Sequence, residues 1–238
     1  MKNFLIKCVV LCIGIGGGIY TSSKLGLLED VIADYNVKDD YNINAFDLNE
    51  DNLYANELVL VNHGYDGFAI DLQYATKNNI TGDILYDESF AYLQKNTLEK
   101  LKQVNEELRI KGYKLKIWDA YRPLSVQKKL WAAYPNPSFI ANPFTVGSNH
   151  NRGAAVDVTL VKLDGSEVKM PTGFDEFGSK CRRETIWKSD ITKNVDLLTE
   201  AMEKCGFASI NSEWWHFDDE DAKKYPIMDY KFRDLIKK

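Results

Sequence analysis

The chain has 238 residues, of which 45% are hydrophobic and 27% are charged, and this composition is typical of a globular domain with its own core. Its net charge is −5, and it contains no basic stripe with interleaved aromatic residues. Both features argue against a nucleic-acid-binding protein. Internal repeats are absent.

The first 23 residues predict an exported protein. Lys2 and Lys7 precede an apolar run at positions 8–20, which is shorter than a full membrane span, and small polar residues follow it. We therefore expect residues 1–23 to be a signal peptide or an uncleaved membrane anchor that engages the membrane or the export machinery. Cys8 and Cys12 belong to this segment, so their spacing does not indicate a metal site.

The composition changes after the export segment. Residues 24–56 are acidic and rich in asparagine, which predicts a solvated linker or lead-in. The stretch "ELVLVN" then predicts a short strand and the start of the main domain, residues 57–238. We expect this domain to lie outside the cytoplasmic membrane.

Helices and strands are interspersed along the main domain. Apolar residues at helical spacing predict a helix in "NTLEKLKQVNEELRIKGY" that Gly112 ends, and a later helix that Gly206 ends. "SVQKKLWAAY" is a further predicted helix. Strands are predicted at "KLKIW", "GAAVDVTLV" and "EWWHF". No strict βαβ rhythm and no phosphate-binding glycine loop is found. These elements predict a single α+β domain with a largely antiparallel central sheet flanked by helices.

The predicted strand "AAVDVTL" carries a carboxylate inside an apolar run. Asp157 shares one strand face with Ala155 and Thr159, and Gly153 just before the strand predicts a tight approach of the backbone. His150 lies upstream, on a loop that can fold back. Burial of the Asp157 charge costs several kcal/mol unless a cation or a proton pairs with it.

The segment "NSEWWHFDD" offers partners for Asp157. Two imidazoles and one carboxylate, here His150, His216 and Asp157, form a common ligand set for a catalytic zinc in a cleft, and Glu213 is then a natural general base. The spacing alone favours a surface histidine near a hydrogen-bonded aspartate over a metal site. Glu213 and His216 also have opposite parity on an ideal strand, so they share a site only if Glu213 lies at the start of the strand or at a bulge.

Five sequence blocks resemble a known family. "DLQYATKNNITG", "IWDAYRPLSVQ", "SNHNRGAAVD", "GFDEF" and "SEWWHF" occur in the order seen in D-alanyl-D-alanine dipeptidases of the vancomycin-resistance type, which are zinc D-Ala-D-Ala peptidases. The resemblance covers about residue 57 to the C-terminus. It implies one zinc per chain, held by His150, Asp157 and His216. It also implies that Glu213 activates the zinc water and that Arg122 stabilises the oxyanion.

The resemblance further implies a set of substrate-binding residues. Tyr74 and Asp175 match residues that hold the free ammonium of the substrate, and Ser148 matches a hydroxyl near its carboxylate. Asn149 departs from the family, which usually has a small hydroxyl residue there. The run after Asp175 also departs, so the shape of the substrate pocket differs more than the chemistry.

The implied activity is zinc-dependent hydrolysis of the D-Ala-D-Ala dipeptide to D-alanine. An alternative is a D,D-carboxypeptidase that trims peptidoglycan stem peptides with the same centre, and a third class is a non-catalytic zinc or cell-wall-binding module. Relatives that support glycopeptide resistance act in the cytoplasm. Export therefore favours a role in cell-wall turnover or in scavenging of released dipeptide.

Several further residues are assigned by their surroundings. Cys181 and Cys205 either form a disulfide or are buried free thiols. His63 is expected to be a solvated loop residue outside the site. Asp119 is expected to support Arg122 or a backbone turn. Trp214 and Trp215 are expected to pack around the metal site.

Overall fold

A computed structural model describes residues 57–62 and 67–236 of the chain. The predicted export segment 1–23, the lead-in 24–56 and His63 lie outside the described residues. Within the described part, no helix has the length and apolar character needed to cross a membrane.

The described chain alternates short strands with helices, as its mixed patterning predicts. The strands are β1 Leu58–Leu60, β2 Ala69–Ile70, β3 Tyr92–Gln94, β4 Tyr113–Asp119, β5 Ala155–Lys162, β6 Phe207–Ser209 and β7 His216–Asp219. The α-helices are α1 Lys95–Ile110, α2 Leu124–Ala133, α3 Ser189–Lys204 and α4 Phe232–Leu235. Short 3₁₀ turns cover Gln73–Ala75, Asn149–Arg152, Ser179–Cys181 and Ala222–Lys224.

The central sheet has the strand order β2-β4-β5-β7-β6. Only the β2–β4 pairing is parallel, and every other pairing in this sheet is antiparallel. β1 and β3 form a separate antiparallel pair. The predicted mixed fold with a largely antiparallel sheet is confirmed.

The two faces of β5 have different surroundings. Val156 and Val158 join the hydrophobic core, to which α1 contributes Leu101 and Leu108. Burial of each such side chain stabilises the fold by about 1.5–3 kcal/mol. Asp157 lies between the two valines, so the pleat directs its side chain to the opposite face. This alternation places a carboxylate on the face of the sheet that carries the site.

Two glycines end the long helices, as predicted. Gly112 follows α1 with φ 87° and Gly206 follows α3 with φ 84°. Both values lie in the left-handed region, where residues with a Cβ are strained.

The last predicted strand begins later than expected. "EWWHF" was expected to be a strand throughout, but β7 starts at His216, and Glu213 lies in the preceding bend. The reason is that the backbone N–H of Trp214 donates to the carbonyl of Cys181 at 3.0 Å instead of joining the sheet ladder. Because Glu213 precedes the strand, the parity conflict with His216 disappears.

Candidate metal centre and cleft

Three buried side chains bring their ligand atoms together on one face of the sheet. His150 Nε2 lies 3.1 Å from His216 Nδ1, and Asp157 Oδ1 lies 3.0 Å from His216 Nδ1 and 3.3 Å from His150 Nε2. Ligand atoms bound to a tetrahedral zinc at about 2.0–2.1 Å lie about 3.3 Å apart. We call these three residues the ligand cluster, and its spacing suits a metal ion.

The sheet register and a capped turn position the ligand cluster. Asp157 on β5 is the direct cross-strand partner of His216 on β7. His150 lies in the 3₁₀ turn Asn149–Arg152, where its backbone N–H donates to the Ser148 hydroxyl at 3.2 Å. Gly153 ends this turn with φ 67°, and an added Cβ would lie 2.5 Å from a methyl carbon of Leu58. The tight approach predicted at Gly153 is therefore confirmed.

A second hydrogen bond orients each imidazole. His150 Nδ1 lies 2.7 Å from the carbonyl oxygen of Ala120, so this nitrogen carries the proton and Nε2 presents its lone pair to the cluster. His216 Nε2 lies 3.0 Å from Asp218 Oδ1, which leaves His216 Nδ1 as the ligand atom. Metal-binding histidines are commonly oriented by such partners. The donor set therefore fits a divalent metal in both distance and tautomer.

The Asp157 carboxylate is stabilised by its neighbours. Burial opposes its ionisation, but His150 and His216 outweigh burial and hold the pKa of Asp157 well below its usual range. Arg122 Nη2 also lies 3.5 Å from the second oxygen of Asp157. Asp157 is thus a ready anionic ligand.

Glu213 opens onto the same cleft without joining the ligand cluster. Its side chain is buried, and burial raises the pKa of Glu213 to about 8, with Asp157 and Asp175 adding to the rise and His216 and Arg122 opposing it. Among the residues that the structure describes, none donates a hydrogen bond to the Glu213 carboxylate. A carboxyl group with a raised pKa and open access to a cleft is suited to proton transfer.

Arg122 is held by a network of buried polar groups. Its Nε and Nη2 lie 2.9 and 2.7 Å from Asp119 Oδ2, and its Nη1 lies 2.8 Å from Gln127 Oε1. The guanidinium carbon lies 4.9 Å from the centre of the Tyr74 ring. Asp119 therefore supports Arg122, as expected. A guanidinium has five N–H donors, so this network leaves at least one for a ligand in the cleft.

The second anionic group of the cleft is Asp175, which has different partners. Its carboxylate accepts hydrogen bonds from the Tyr74 hydroxyl at 3.2 Å and from the Ile80 backbone N–H at 3.0 Å. Burial raises the pKa of Asp175 to about 7. Its backbone has φ 56°, the only positive φ among the described residues other than glycine. We call Tyr74, Asp175 and the Ile80 amide the Asp175 pocket.

The structure brings all eight predicted site residues to one cleft of about 220 Å³. The predicted residues among those that line it are Tyr74, Arg122, Ser148, His150, Asp157, Asp175, Glu213 and His216. Ser148 is also the cap of the 3₁₀ turn, a role that its position just before "NHN" could have indicated.

Three polar residues of the site were missed by the sequence interpretation. Asp218 orients His216, Gln127 binds Arg122, and Lys223 lines the cleft with its Nζ 3.2 Å from Asn149 Oδ1. Asp218 lies two residues from His216 on the same strand, and this spacing was the available signal. No local pattern marks Lys223, because a tertiary contact between two 3₁₀ turns brings it to the cleft.

The remaining assignments have plain outcomes. Cys181 and Cys205 are free thiols, so the open question of a disulfide is answered against pairing. Trp214 and Trp215 are fully buried and pack in the core beside the site, as expected. Their rings contact each other edge to face at 5.6 Å.

The fold and the cleft together define a hydrolytic metallopeptidase: three ligands at metal-binding distance, with an unligated carboxyl and a guanidinium beside them. Comparison with known proteins is more specific. The family described as D-Ala-D-Ala dipeptidase, peptidase family M15, matches residues 54–238. The chain belongs to this family.

Two relatives that are named D-alanyl-D-alanine dipeptidase agree with the family assignment. The D-alanyl-D-alanine dipeptidase of Escherichia coli K12 is 37% identical over 168 residues, which cover 70% of this chain and 86% of the relative. The protein of the same name from Enterococcus faecium is 30% identical and covers 70% of this chain and 92% of its own length. The D,D-pentapeptidase VanY in complex with Zn(II) is similar in structure at a TM-score of 0.36 and 17% identity, covering 58% of this chain and 79% of that chain.

Proposed function

We propose that this protein is a zinc-dependent dipeptidase that hydrolyses D-Ala-D-Ala to D-alanine. One observation carries the proposal: the ligand cluster, Glu213, Arg122 and the Asp175 pocket all open onto the same cleft. These groups supply a metal site, a base, an oxyanion donor and a carboxylate for a free amino group. The names of the relatives indicate the same substrate.

Zinc is the metal that suits the ligand cluster best. Two imidazole nitrogens and one carboxylate oxygen match the three protein ligands of a catalytic zinc, and they leave a coordination position for water. A zinc ion held there would polarise the scissile carbonyl and would lower the pKa of its water. We expect one zinc per chain, held by His150, Asp157 and His216.

Glu213 acts as the general base and then as the general acid. Its carboxylate accepts a proton from the attacking water and passes it to the nitrogen of the leaving D-alanine. Burial raises the pKa of Glu213 in the protein alone to about 8. A divalent ion held by the ligand cluster would add positive charge beside Glu213 and would lower this pKa, so that the ionised form would be available at neutral pH.

Arg122 stabilises the oxygen of the scissile carbonyl as negative charge develops on it. Its guanidinium stays protonated and is fixed in place by Asp119 and Gln127, so little reorganisation is needed during the reaction. The N–H that this network leaves over serves as the donor.

The Asp175 pocket favours a dipeptide over a longer chain. Asp175 and Tyr74 hold the free ammonium of the substrate, and Ser148 and Lys223, which line the same cleft, bind its carboxylate. The cleft volume of about 220 Å³ is smaller than pockets for drug-sized ligands, which have roughly 300–1,000 Å³. An N-acylated substrate would leave the Asp175 charge buried and unpaired.

The proposal is tested with the purified, zinc-loaded protein. It is assayed on free D-Ala-D-Ala, on N-acetyl-D-Ala-D-Ala and on a pentapeptide stem that ends in D-Ala-D-Ala. We expect cleavage of the free dipeptide alone. Comparable rates on the acetylated substrate would favour a D,D-carboxypeptidase. If none of the three is cleaved while one zinc is bound, a non-catalytic zinc or cell-wall-binding module becomes the better assignment.

We also propose that the enzyme acts outside the cytoplasmic membrane, in cell-wall turnover or in scavenging of released dipeptide. Support comes from Lys2, Lys7 and the apolar run at positions 8–20. Fractionation of cells that produce the full-length chain tests this location. Recovery of the enzyme in the soluble cytoplasm with residues 1–23 intact would contradict it and would favour a role in glycopeptide resistance.

A further inference from the structure

The bend that carries Glu213 is held from outside the cleft by one arginine. Arg183 Nε donates to the carbonyl of Ile210 at 2.9 Å, and Arg183 Nη2 donates to the carbonyl of Trp214 at 2.6 Å. These two carbonyls lie three residues before and one residue after Glu213. The Arg183 guanidinium therefore spans the bend on both sides of the proposed base.

The backbone around Arg183 adds further contacts to the same bend. The backbone N–H of Arg183 donates to the carbonyl of Asn211 at 2.9 Å, and the backbone N–H of Trp214 donates to the carbonyl of Cys181 at 3.0 Å. Cys181 Sγ lies 3.2 Å from the carbonyl oxygen of Ser212 and 3.1 Å from that of Gly178, and these two acceptors share its single S–H donor. Residues 211–214 of the bend thus bond to residues 181–183, whereas the next residue, Trp215, accepts from Val158 on β5 at 3.0 Å.

The guanidinium is itself fixed by two structural elements. Arg183 Nη1 donates to the Thr199 hydroxyl on α3 at 2.6 Å, and the guanidinium carbon lies 4.7 Å from the centre of the Phe217 ring on β7. Phe217 directly follows the metal ligand His216. Arg183 therefore connects α3, the Glu213 bend and the strand that carries a ligand.

The charged guanidinium of Arg183 donates to backbone carbonyls and not to a carboxylate among the described residues. Among the described residues, no carboxylate lies within ion-pair distance of its guanidinium, and burial lowers the pKa of Arg183 to about 10, with Glu203 opposing the shift. It is still protonated at neutral pH. A half-buried arginine costs free energy unless its donors are satisfied, and here backbone and hydroxyl oxygens accept from Nε, Nη1 and Nη2.

We propose that Arg183 is a positioning residue that sets the location of the Glu213 carboxylate relative to the ligand cluster. The inference rests on the general-base role proposed for Glu213. The Glu213 carboxylate has no hydrogen-bond donor of its own among the described residues, so its position depends on the backbone of the bend. A displacement of about 1 Å of a catalytic group can cost about 100-fold in rate.

The test compares Arg183→Met and Arg183→Lys with the same changes at Arg182. Arg182 is the neighbouring residue, and it pairs with Glu184 at the surface at 2.8 Å. We expect Arg183→Met to lower kcat about 10- to 100-fold while KM and the zinc content stay near the wild-type values. Arg183→Lys should retain the fold but not kcat, because one ammonium cannot reproduce the guanidinium fork. The Arg182 variants should match the wild type.

A milder variant keeps the proposal testable if Arg183→Met fails to fold. Thr199→Val removes one partner of Arg183 without altering the arginine, and it should lower kcat by a smaller factor. Added methylguanidinium should partly restore kcat in Arg183→Ala. A wild-type kcat in Arg183→Met, or a loss expressed only in KM or zinc content, would overturn the proposal.

Amide hydrogen exchange gives a readout that does not depend on the substrate. Exchange at residues 210–216 should be faster in Arg183→Met, while exchange in β5 stays slow. If the wild type proves inactive on D-Ala-D-Ala, the proposed function fails. The exchange measurement still tests whether Arg183 holds the Glu213 bend. Unchanged exchange in the bend would show that Arg183 does not hold it.

Discussion

The ligand cluster and the Asp175 pocket share one cleft but differ in how they balance charge. The Asp157 carboxylate has two imidazoles and Arg122 around it, and its pKa is held low. The Asp175 carboxylate accepts hydrogen bonds only from the Tyr74 hydroxyl and the Ile80 backbone N–H among the described residues, and burial raises its pKa to about 7. Among the described residues, no cation lies within ion-pair distance of Asp175.

This difference indicates that the two groups of residues are prepared for their ligands in different ways. The Asp157 carboxylate of the ligand cluster is ionised and held in place before a metal binds, because its compensating groups are part of the protein. The Asp175 pocket is completed only by a ligand that brings its own positive charge. Mutations in the ligand cluster should therefore abolish activity outright. Mutations in the Asp175 pocket should instead change KM in a graded and pH-dependent way.

Loss of a ligand should have the largest effect. His216→Ala removes one of three protein ligands, so we expect loss of bound zinc and of measurable activity, with most of the fold retained. Metal analysis, circular dichroism and the dipeptide assay check this together. Full zinc content in the purified variant would show that His216 is not a ligand.

Glu213→Gln should lower kcat about 10²- to 10⁴-fold because it removes the base while keeping the shape of the side chain. Zinc content should stay at one per chain, since Glu213 is not part of the ligand cluster. The measurement is steady-state kinetics alongside metal analysis. Loss of zinc in this variant would make Glu213 a ligand and would contradict the separation of roles.

Asp175→Asn should weaken binding of the dipeptide, raising KM about 10- to 100-fold, because the ammonium loses a buried charged partner. Asparagine tolerates the positive φ at this position, so the backbone is preserved. The wild-type KM should fall as pH rises through about 7, where Asp175 ionises, and the variant should lack this step. A KM step of the same size in both proteins would assign the titration to another group.

The same substitution should stabilise the free protein at high pH. The folded-state pKa of Asp175 is raised above its ordinary value, so ionisation costs stability as pH rises from about 4 to about 7. Asp175→Asn removes this cost, and we expect its Tm to exceed that of the wild type at pH 8 but not at pH 4. Thermal melts at both pH values measure the difference.

Lys223→Gln should have the smallest effect. Lys223 is exposed at the cleft and is worth up to about 1 kcal/mol as a partner for the substrate carboxylate, so KM should rise about three- to five-fold with kcat unchanged. Lys224→Gln is the matched control, because Lys224 pairs with Asp221 instead. The substrate amide D-alanyl-D-alaninamide lacks the carboxylate. An equal rise in KM for that amide would exclude a direct role for Lys223.

The sequence by itself determined the elements and the chemical inventory of the site. Helical spacing with Gly112 and Gly206 defined the ends of two helices, and alternation around Asp157 showed a carboxylate on a strand. These signals are local, because helix period, strand period and left-handed glycine are properties of a few neighbouring residues. The five ordered blocks then indicated the family and the eight predicted site residues, all of which line the cleft.

Only the tertiary structure decided how those residues meet. The late start of β7 follows from hydrogen bonds between residues 181–183 and the Glu213 bend. These two segments are too far apart in the sequence for a local pattern to predict that they meet. The tautomer of His150 depends on the Ala120 carbonyl, and the pKa of Asp175 depends on burial by distant segments. Hydrogen-bond partners and desolvation come from the packed fold, so no pattern of neighbouring residues could specify them.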